Sequence, residues 1–264
     1  MAGVKRGGSS SQGKTASQAT ENEEYKTFSG VPDWEKEFKG DGTEEESFFK
    51  ENSNYDELVK DIKRRGDDVP FEYWSSGVFM TGYMSKLSEK GFDGLDKSTK
   101  EWQVTFDHYL DQSEITKGIE LRRLSDAQLL LGKGNKTATL EELQALKGRI
   151  VTSVGNMSSS AASQGLQIDS TAKKPIEYVI KVPPGTKGAG MWIGDTKLNP
   201  RWGNKQREFM FNRDINLKIG DTHYNKQRDV FEVELKYESR NKHDYGKTKT
   251  WQKRRKDIYR ETDY

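Results

Sequence analysis

An amide and a carboxylate stand two residues apart in the segment Gln206–Phe211. Phe209 and Phe211 alternate with more polar neighbours, which predicts a strand, and a loop rich in Gly, Pro and Trp precedes it. Side chains two apart on a strand share a face, so Gln206 and Glu208 are expected to point the same way. An amide beside a carboxylate at a loop-to-strand junction indicates substrate handling.

Two adjacent arginines, Arg122 and Arg123, lie in the alternating run Ile119–Leu124. We expect this run to be an edge strand that directs the two side chains to opposite faces. An inward-facing arginine is costly to bury unless it meets an anion, and its planar fork suits a pyrophosphate or a carboxylate. Taken alone, the run is explained better by a surface arginine pair held by a salt bridge.

Hydroxyl groups mark a third segment, the predicted strand Arg149–Val154, which a loop of small residues over 157–163 follows. Thr152 and Ser153 carry the hydroxyls of this strand. A hydroxyl there can orient a carboxylate or contact a ligand, although Thr and Ser are also ordinary strand residues.

Composition excludes several other chemistries. The chain has 0 Cys and 3 His in 264 residues, which removes disulfides, cysteine nucleophiles and thiolate metal sites and leaves little for zinc. A Gly-x-Gly-x-x-Gly after a strand and a Walker loop are both missing, so kinase, dehydrogenase and P-loop functions are excluded. Catalysis must therefore use carboxylates, arginines, hydroxyls and amides.

The elements that position these residues change in type along the chain. Helical spacing and a capping box predict helices over Tyr55–Arg65, over Pro70–Glu89, around Trp102–Leu110 and from Thr139. Alternating apolar residues predict strands over Ile176–Val182, Ile215–Ile219 and Val230–Tyr237. Helices followed by strands predict an α+β fold, with N-terminal helices packed on a mainly antiparallel, two-sheet β core.

The chain divides by charge and composition into four predicted regions. Residues 1–24 are a disordered arm, 25–69 an acidic and partly helical extension, 70–238 the folded domain and 239–264 a basic tail. Residues 240–260 combine basic side chains with aromatic ones, which fits contact with nucleic acid, although a solvated tail is the alternative. No membrane span and no Sec-type signal is expected.

The three chemical segments, taken in order, resemble the mono-ADP-ribosyltransferases of the Arg-Ser-Glu class, which occur among bacterial exotoxins, secreted effectors and phage proteins. The resemblance covers Phe71 to Tyr237, the greater part of the folded domain. Its parts are Glu72–Tyr83, Thr116–Arg123, Ile150–Val154, Ile180–Ala189 and the Gln-x-Glu motif Gln206–Glu208. It implies that 70–238 is an ADP-ribosyltransferase-like catalytic domain.

The resemblance implies a reaction and a role for each residue. NAD⁺ is the substrate, its nicotinamide–ribose bond breaks, and ADP-ribose passes to an acceptor through an oxocarbenium-like transition state. Glu208 would stabilise the developing charge and Thr152 would hold its carboxylate, with Ser153 beside it. Arg122 would bind a phosphate of NAD⁺, and Arg123 is the second candidate. A metal is not implied, because the leaving group is already a cationic pyridinium.

Gln206 indicates the chemical type of the acceptor. Relatives that modify arginine carry a carboxylate at this position, which can help remove a proton from the guanidinium, and an amide cannot act as such a base. The acceptor is therefore expected to be uncharged, and two classes stay open: a protein amide side chain or a nucleobase. Two alternative functions also stay open, an NAD⁺ glycohydrolase and a phage head-associated structural protein with a residual transferase domain. Whether an inhibitor protein is a further partner stays open. The expected location is the cytoplasm or, after delivery without a Sec signal, a target cell, and association with a virion is a third alternative.

Overall fold

The computed structural model describes residues 24–29, 43–74, 91–132, 137–164, 166–167, 174–194, 198, 207–241 and 253. Several predictions lie outside these ranges. They concern Gln206, the helix expected to continue from Trp74 to Glu89, nearly all of the arm 1–24, and the basic tail apart from residues 239–241 and 253.

Six α-helices and one short 3₁₀-helix lie in the described part of the chain. Thr43, Asp96 and Thr139 each accept a hydrogen bond from a backbone N–H of the first turn that follows them, so side-chain caps begin three of the helices. The helices are α1 Glu44–Asn52, α2 Tyr55–Arg65, α3 Val69–Trp74, α4 Lys97–Leu110, α5 Gln128–Leu131 and α6 Leu140–Gln144, with the 3₁₀-helix at Phe92–Gly94. The predicted helix over 55–65 and the capping box are confirmed.

Eleven strands are described, and most of them form one sheet. They are β1 Glu114–Ile115, β2 Ile119–Ser125, β3 Ile150–Ser153, β4 Met157–Ser160, β5 Leu166–Gln167, β6 Ile176–Val182, β7 Thr186–Lys187, β8 Gly190–Trp192, β9 Glu208–Phe211, β10 Ile215–Asn225 and β11 Val230–Arg240. The large sheet has the order β3-β10-β11-β6-β2-β4-β9-β8, with β5 also paired to β2, and β1 and β7 form a second sheet. Only β6–β11 and β2–β5 are parallel among these pairs. The predicted α+β class with a mainly antiparallel core is confirmed.

Two strand predictions are corrected. β2 is a central strand, since β6 pairs with one side of it and β4 and β5 with the other, so Arg122 and Arg123 do not lie on an edge. Residues 157–160, expected to be in a loop, form β4, and all four are buried. Serine has little intrinsic preference for strands, so pairing with β2 and β9 decides the conformation of this segment.

The helices of the acidic extension contribute to the same core as the sheet. Phe49 of α1 is 1% exposed and stacks on Trp192 of β8, with ring centroids 4.9 Å apart and planes at 15°. Ile62 of α2 is completely buried in the same cluster as Phe71 and Phe106. The boundary at residue 70 stays a prediction, and side chains on both sides of it share one apolar core.

A buried network of charges ties α4 to the sheet. The Asp107 carboxylate, completely buried, accepts hydrogen bonds from Arg213 Nε at 3.0 Å and from Arg213 Nη2 at 2.8 Å. Arg240 Nη2 donates to the same carboxylate at 3.1 Å, and Arg240 Nε donates to the Arg213 carbonyl at 3.0 Å. The network therefore fixes the turn after β9 and the end of β11 against α4.

None of the described helices is long and apolar enough to cross a membrane.

Candidate functional site

Glu208 begins β9 and is almost completely buried, at 1% exposure. On one side Ser160 of β4 lies directly opposite, and on the other side Ile193, the residue after β8, donates from its backbone N to the Glu208 carbonyl at 3.0 Å. A buried carboxylate is costly unless hydrogen-bond donors satisfy it. The hydrogen-bond donors around Glu208 therefore determine the orientation of its carboxylate.

Two side chains donate to the same carboxylate oxygen, Glu208 Oε1. Ser158 donates from Oγ, and Trp74 Nε1 donates at 3.0 Å. The Trp74 indole also lies 3.1 Å from Ser158 Oγ, so the three groups form one cluster. Ser158 is 4% exposed and Trp74 is completely buried. Because both donors are neutral, they orient the carboxylate without cancelling its negative charge.

The expected hydrogen bond from Thr152 to Glu208 is not formed, which corrects the sequence-based assignment. Thr152 Oγ1 donates instead to Asn216 Oδ1 at 2.7 Å on the exposed edge strand β3. Ser153 Oγ donates to the Gly155 carbonyl at 3.0 Å. β3 stands at one end of the strand order and β9 next to the other end, so Ser158 of β4 makes the contact that was expected of Thr152.

Arg122, Ser160 and Glu208 form a row across three strands. Arg122 pairs with Ser160, and Ser160 pairs with Glu208. The backbone pairing therefore lines up an arginine, a serine and a glutamate across the three strands. The hydroxyl in this row comes from β4, whereas the sequence had predicted it to come from β3.

Two carboxylates hold the Arg122 guanidinium. Nη2 donates to Glu120 Oε1 at 2.6 Å, and Nη1 donates to Glu177 Oε2 at 2.9 Å. Arg228 Nη2 also donates to the completely buried Glu177, at 2.8 Å. Burial alone would lower the pKa of Arg122, but the charges of Glu120 and Glu177 outweigh burial and raise it. Arg122 is thus a fixed, partly exposed cation that shares the Glu177 carboxylate with Arg228.

Arg123 points toward the cluster around Glu208. Its Nη1 donates to the Ser158 carbonyl at 2.5 Å, so it contacts the residue whose hydroxyl holds Glu208. Burial lowers the pKa of the Arg123 guanidinium, and the negative charges of Glu208 and Asp126 oppose that shift only in part. The two arginines therefore differ in role: Arg122 belongs to a carboxylate network, and Arg123 braces β4 behind Glu208.

The backbone close to Glu208 is tightly packed. A Cβ atom added to Gly194 would lie 2.5 Å from the Trp192 ring and 2.9 Å from the Glu208 nitrogen. Atoms cannot approach so closely, so glycine is required where this segment passes the first residue of β9.

Sequence reasoning brought Glu208 and the two arginines to one region but missed Ser158 and Trp74. The run of three serines over 158–160 was a signal for hydroxyls near the site. Trp74 gave no signal, since it lies 134 residues before Glu208 and looks like an ordinary core residue of an amphipathic helix. Gln206 lies outside the described residues. In the described ranges, no group of three or more Asp, Glu or His side chains is arranged to hold a metal.

Comparison with known proteins finds one matching family model and several similar solved structures. A family model described as ADP-ribosyltransferase exoenzyme matches residues 87–247, which is more than half of the chain. Plx2a, an ADP-ribosyltransferase toxin from Paenibacillus larvae, superposes with a TM-score of 0.60 at 14% identity, covering 74% of this chain and 95% of that one. A comparison with curated protein sequences finds no match.

Two further solved structures are similar at comparable levels. C3stau2 from S. aureus with NAD has a TM-score of 0.57 at 17% identity and covers 82% of this chain and 100% of that one. The C3 exoenzyme of Clostridium limosum has a TM-score of 0.56 at 15% identity, covering 82% and 98%. At such low identities the structural likeness shows the fold alone.

Proposed function

Because this chain belongs to the ADP-ribosyltransferase exoenzyme family, we propose that Glu208 is its catalytic carboxylate in the transfer of ADP-ribose from NAD⁺ to a macromolecule. One observation carries the proposal: Glu208 is buried, and Ser158 and Trp74 both donate to its Oε1 oxygen. Two neutral donors therefore fix the orientation of this carboxylate.

The chemistry that Glu208 assists is cleavage of the bond between nicotinamide and ribose. The carbon–nitrogen bond breaks, nicotinamide leaves with the bonding electron pair, and positive charge develops on the ribose. The acceptor then forms a bond to the anomeric carbon and loses a proton. A fixed negative charge beside the ribose stabilises this transition state more than the ground state, so Glu208 acts on the rate of cleavage.

The arginines are proposed to act through NAD⁺ binding. Arg122 shares a row with Ser160 and Glu208, and its planar fork suits a phosphate oxygen pair. This row supports placing the chain in the Arg-Ser-Glu class. Arg123 remains the second candidate for the phosphate, and its contact with the Ser158 carbonyl supports a role in bracing the site. We retain no binding role for Thr152 and Ser153.

The acceptor is proposed to be uncharged, because the residue two before Glu208 is a glutamine. An amide orients a neutral nucleophile by hydrogen bonding but cannot remove a proton from a guanidinium. A protein amide side chain and a nucleobase are the two acceptor classes.

The experiment that tests this function uses labelled NAD⁺ and a cell lysate. Wild-type protein is expected to release nicotinamide and to transfer label to acid-precipitable material, and Glu208→Gln is expected to lower turnover by orders of magnitude while NAD⁺ affinity changes little. Treating separate samples with protease and with nuclease identifies the acceptor class. Label that never becomes precipitable would indicate an NAD⁺ glycohydrolase, and absence of NAD⁺ turnover would indicate a structural protein.

A further inference from the structure

The residue directly before Glu208 has an uncommon backbone conformation. Arg207 has a φ of 47°, in the left-handed region that side chains other than glycine rarely adopt. Such a conformation persists only where the surroundings over-determine it. Part of the constraint comes from the backbone, since Ala161 N donates to the Arg207 carbonyl at 2.8 Å.

The Arg207 side chain makes a second attachment. Its Nη1 donates to Glu45 Oε1, and the two side chains are only 15% and 2% exposed. Glu45 lies in the first turn of α1, 162 residues before Arg207 in the chain. Removing one partner of such a pair leaves a poorly solvated charge, so the pair is a strong restraint on where the Arg207 turn can lie.

Apolar contacts hold α1 against the same two strands. The Phe49 ring stacks on Trp192 of β8 and lies 5.8 Å from the Phe209 ring of β9. Glu45 and Phe49 are one helical turn apart, so they lie on the same face of α1. The helix therefore contacts β8 and β9 through the Phe49 ring, and its ion pair is made with the residue next to Glu208.

We propose that Glu45 is a positioning residue for ADP-ribose transfer, because its ion pair with Arg207 holds the turn that presents the Glu208 carboxylate. The proposal rests on the proposed catalytic role of Glu208. In it, Glu45 contacts neither NAD⁺ nor acceptor and acts through Arg207. A segment that the sequence marked only as an acidic extension then supports the active site.

The first test compares two neighbouring glutamates of α1 in the full-length protein. Glu45→Gln removes the charge that meets Arg207, and Glu46→Gln removes a charge that is equally buried, at 2% exposure, and pairs with Lys50 on the same helix. Turnover of NAD⁺ is measured by nicotinamide release. Glu45→Gln is expected to lower kcat about 10- to 100-fold, as misplacement of a reacting group does, with little change in KM. Glu46→Gln is expected to keep the wild-type kcat.

The second test separates the ion pair from the backbone conformation. Arg207→Ala removes the side chain and keeps the backbone strain, whereas Arg207→Gly removes both. If the ion pair positions Glu208, both variants lose kcat to a similar extent. The double variant Glu45→Gln/Arg207→Ala is expected to lose no more than Arg207→Ala alone, because each change removes the same contact.

Three outcomes would overturn the proposal: wild-type kcat in Glu45→Gln, wild-type kcat in Arg207→Gly, or fully multiplicative losses in the double variant. Glu208→Gln, assayed alongside, separates the positioning role of Glu45 from the catalytic role of Glu208 on which it depends. An active Glu208→Gln rejects the catalytic role of Glu208 itself. An inactive Glu208→Gln together with an unaffected Glu45→Gln rejects only the positioning role.

Discussion

Removing either donor to the Glu208 carboxylate is expected to slow NAD⁺ cleavage without unfolding the protein. Ser158→Ala deletes the hydroxyl that donates to Oε1, and Trp74→Phe deletes the indole N–H, 3.0 Å from the same oxygen, while keeping a ring against Phe106. Each change leaves a buried carboxylate with one donor fewer.

The size of the effect follows from the burial of the acceptor. Hydrogen bonds to charged groups contribute about 1.5 to 3 kcal/mol, and Glu208 is only 1% exposed, so water does not readily replace the lost donor. If the lost energy appears in the transition state, kcat falls roughly 10- to 150-fold for each variant. Because Trp74 Nε1 also contacts Ser158 Oγ, the double variant is expected to lose less than the product of the two effects.

The assay is the initial rate of nicotinamide release, with Ser159→Ala as the matched control. Ser159 is on the same strand and is 4% exposed, as Ser158 is, but its hydroxyl finds no hydrogen-bond partner among the described residues. Ser159→Ala is therefore expected to keep the wild-type rate and to be at least as stable as the wild type. Equal rates for Ser158→Ala and wild type, with Glu208→Gln inactive, would refute the argument that these donors orient the carboxylate.

Three further predictions concern binding, the acceptor and stability. Arg122→Lys keeps the charge but loses the planar fork, so calorimetry should find weaker NAD⁺ binding; a larger loss in Arg123→Lys would move the phosphate role to Arg123. Gln206→Ala should keep slow NAD⁺ hydrolysis but lose most macromolecular labelling, at a cost of about 1 to 3 kcal/mol, and parallel loss of both activities would assign Gln206 to NAD⁺ positioning. Asp107→Ala removes the carboxylate that accepts from both Arg213 and Arg240, so urea unfolding should detect a loss of about 3 to 5 kcal/mol; a change below 1 kcal/mol would contradict the network.

Local signals were enough to predict much of the fold. Helix α2 has the predicted bounds, Tyr55–Arg65, because its apolar spacing is regular and Gly66 adopts a left-handed conformation, with φ 71°, directly after it. β6 also has its predicted bounds, since Ile176–Val182 is rich in β-branched residues and prolines follow it. These features depend on neighbouring residues in the chain, so a single sequence contains the information.

The candidate site was predicted only in part, and the errors have a common cause. Glu208 and the arginines were identified by type and order along the chain. The hydroxyl partner was assigned to Thr152, because the run over 149–154 looked like a strand and the serines after it looked like a loop. Whether a serine-rich segment becomes a strand depends on the strands that pair with it, and β4 pairs with β2 and β9.

The sequence by itself determined the α+β class and the bounds of α2 and β6, and it selected the residue types of the candidate site, because periodicity, caps and residue chemistry are local. The tertiary structure alone decided which groups meet at Glu208. Ser158 precedes it by 50 residues and Trp74 by 134. Contacts of that separation depend on strand order and on the close packing of the core, neither of which local spacing encodes. For the same reason, only the folded chain reveals that α1 contacts the turn before Glu208.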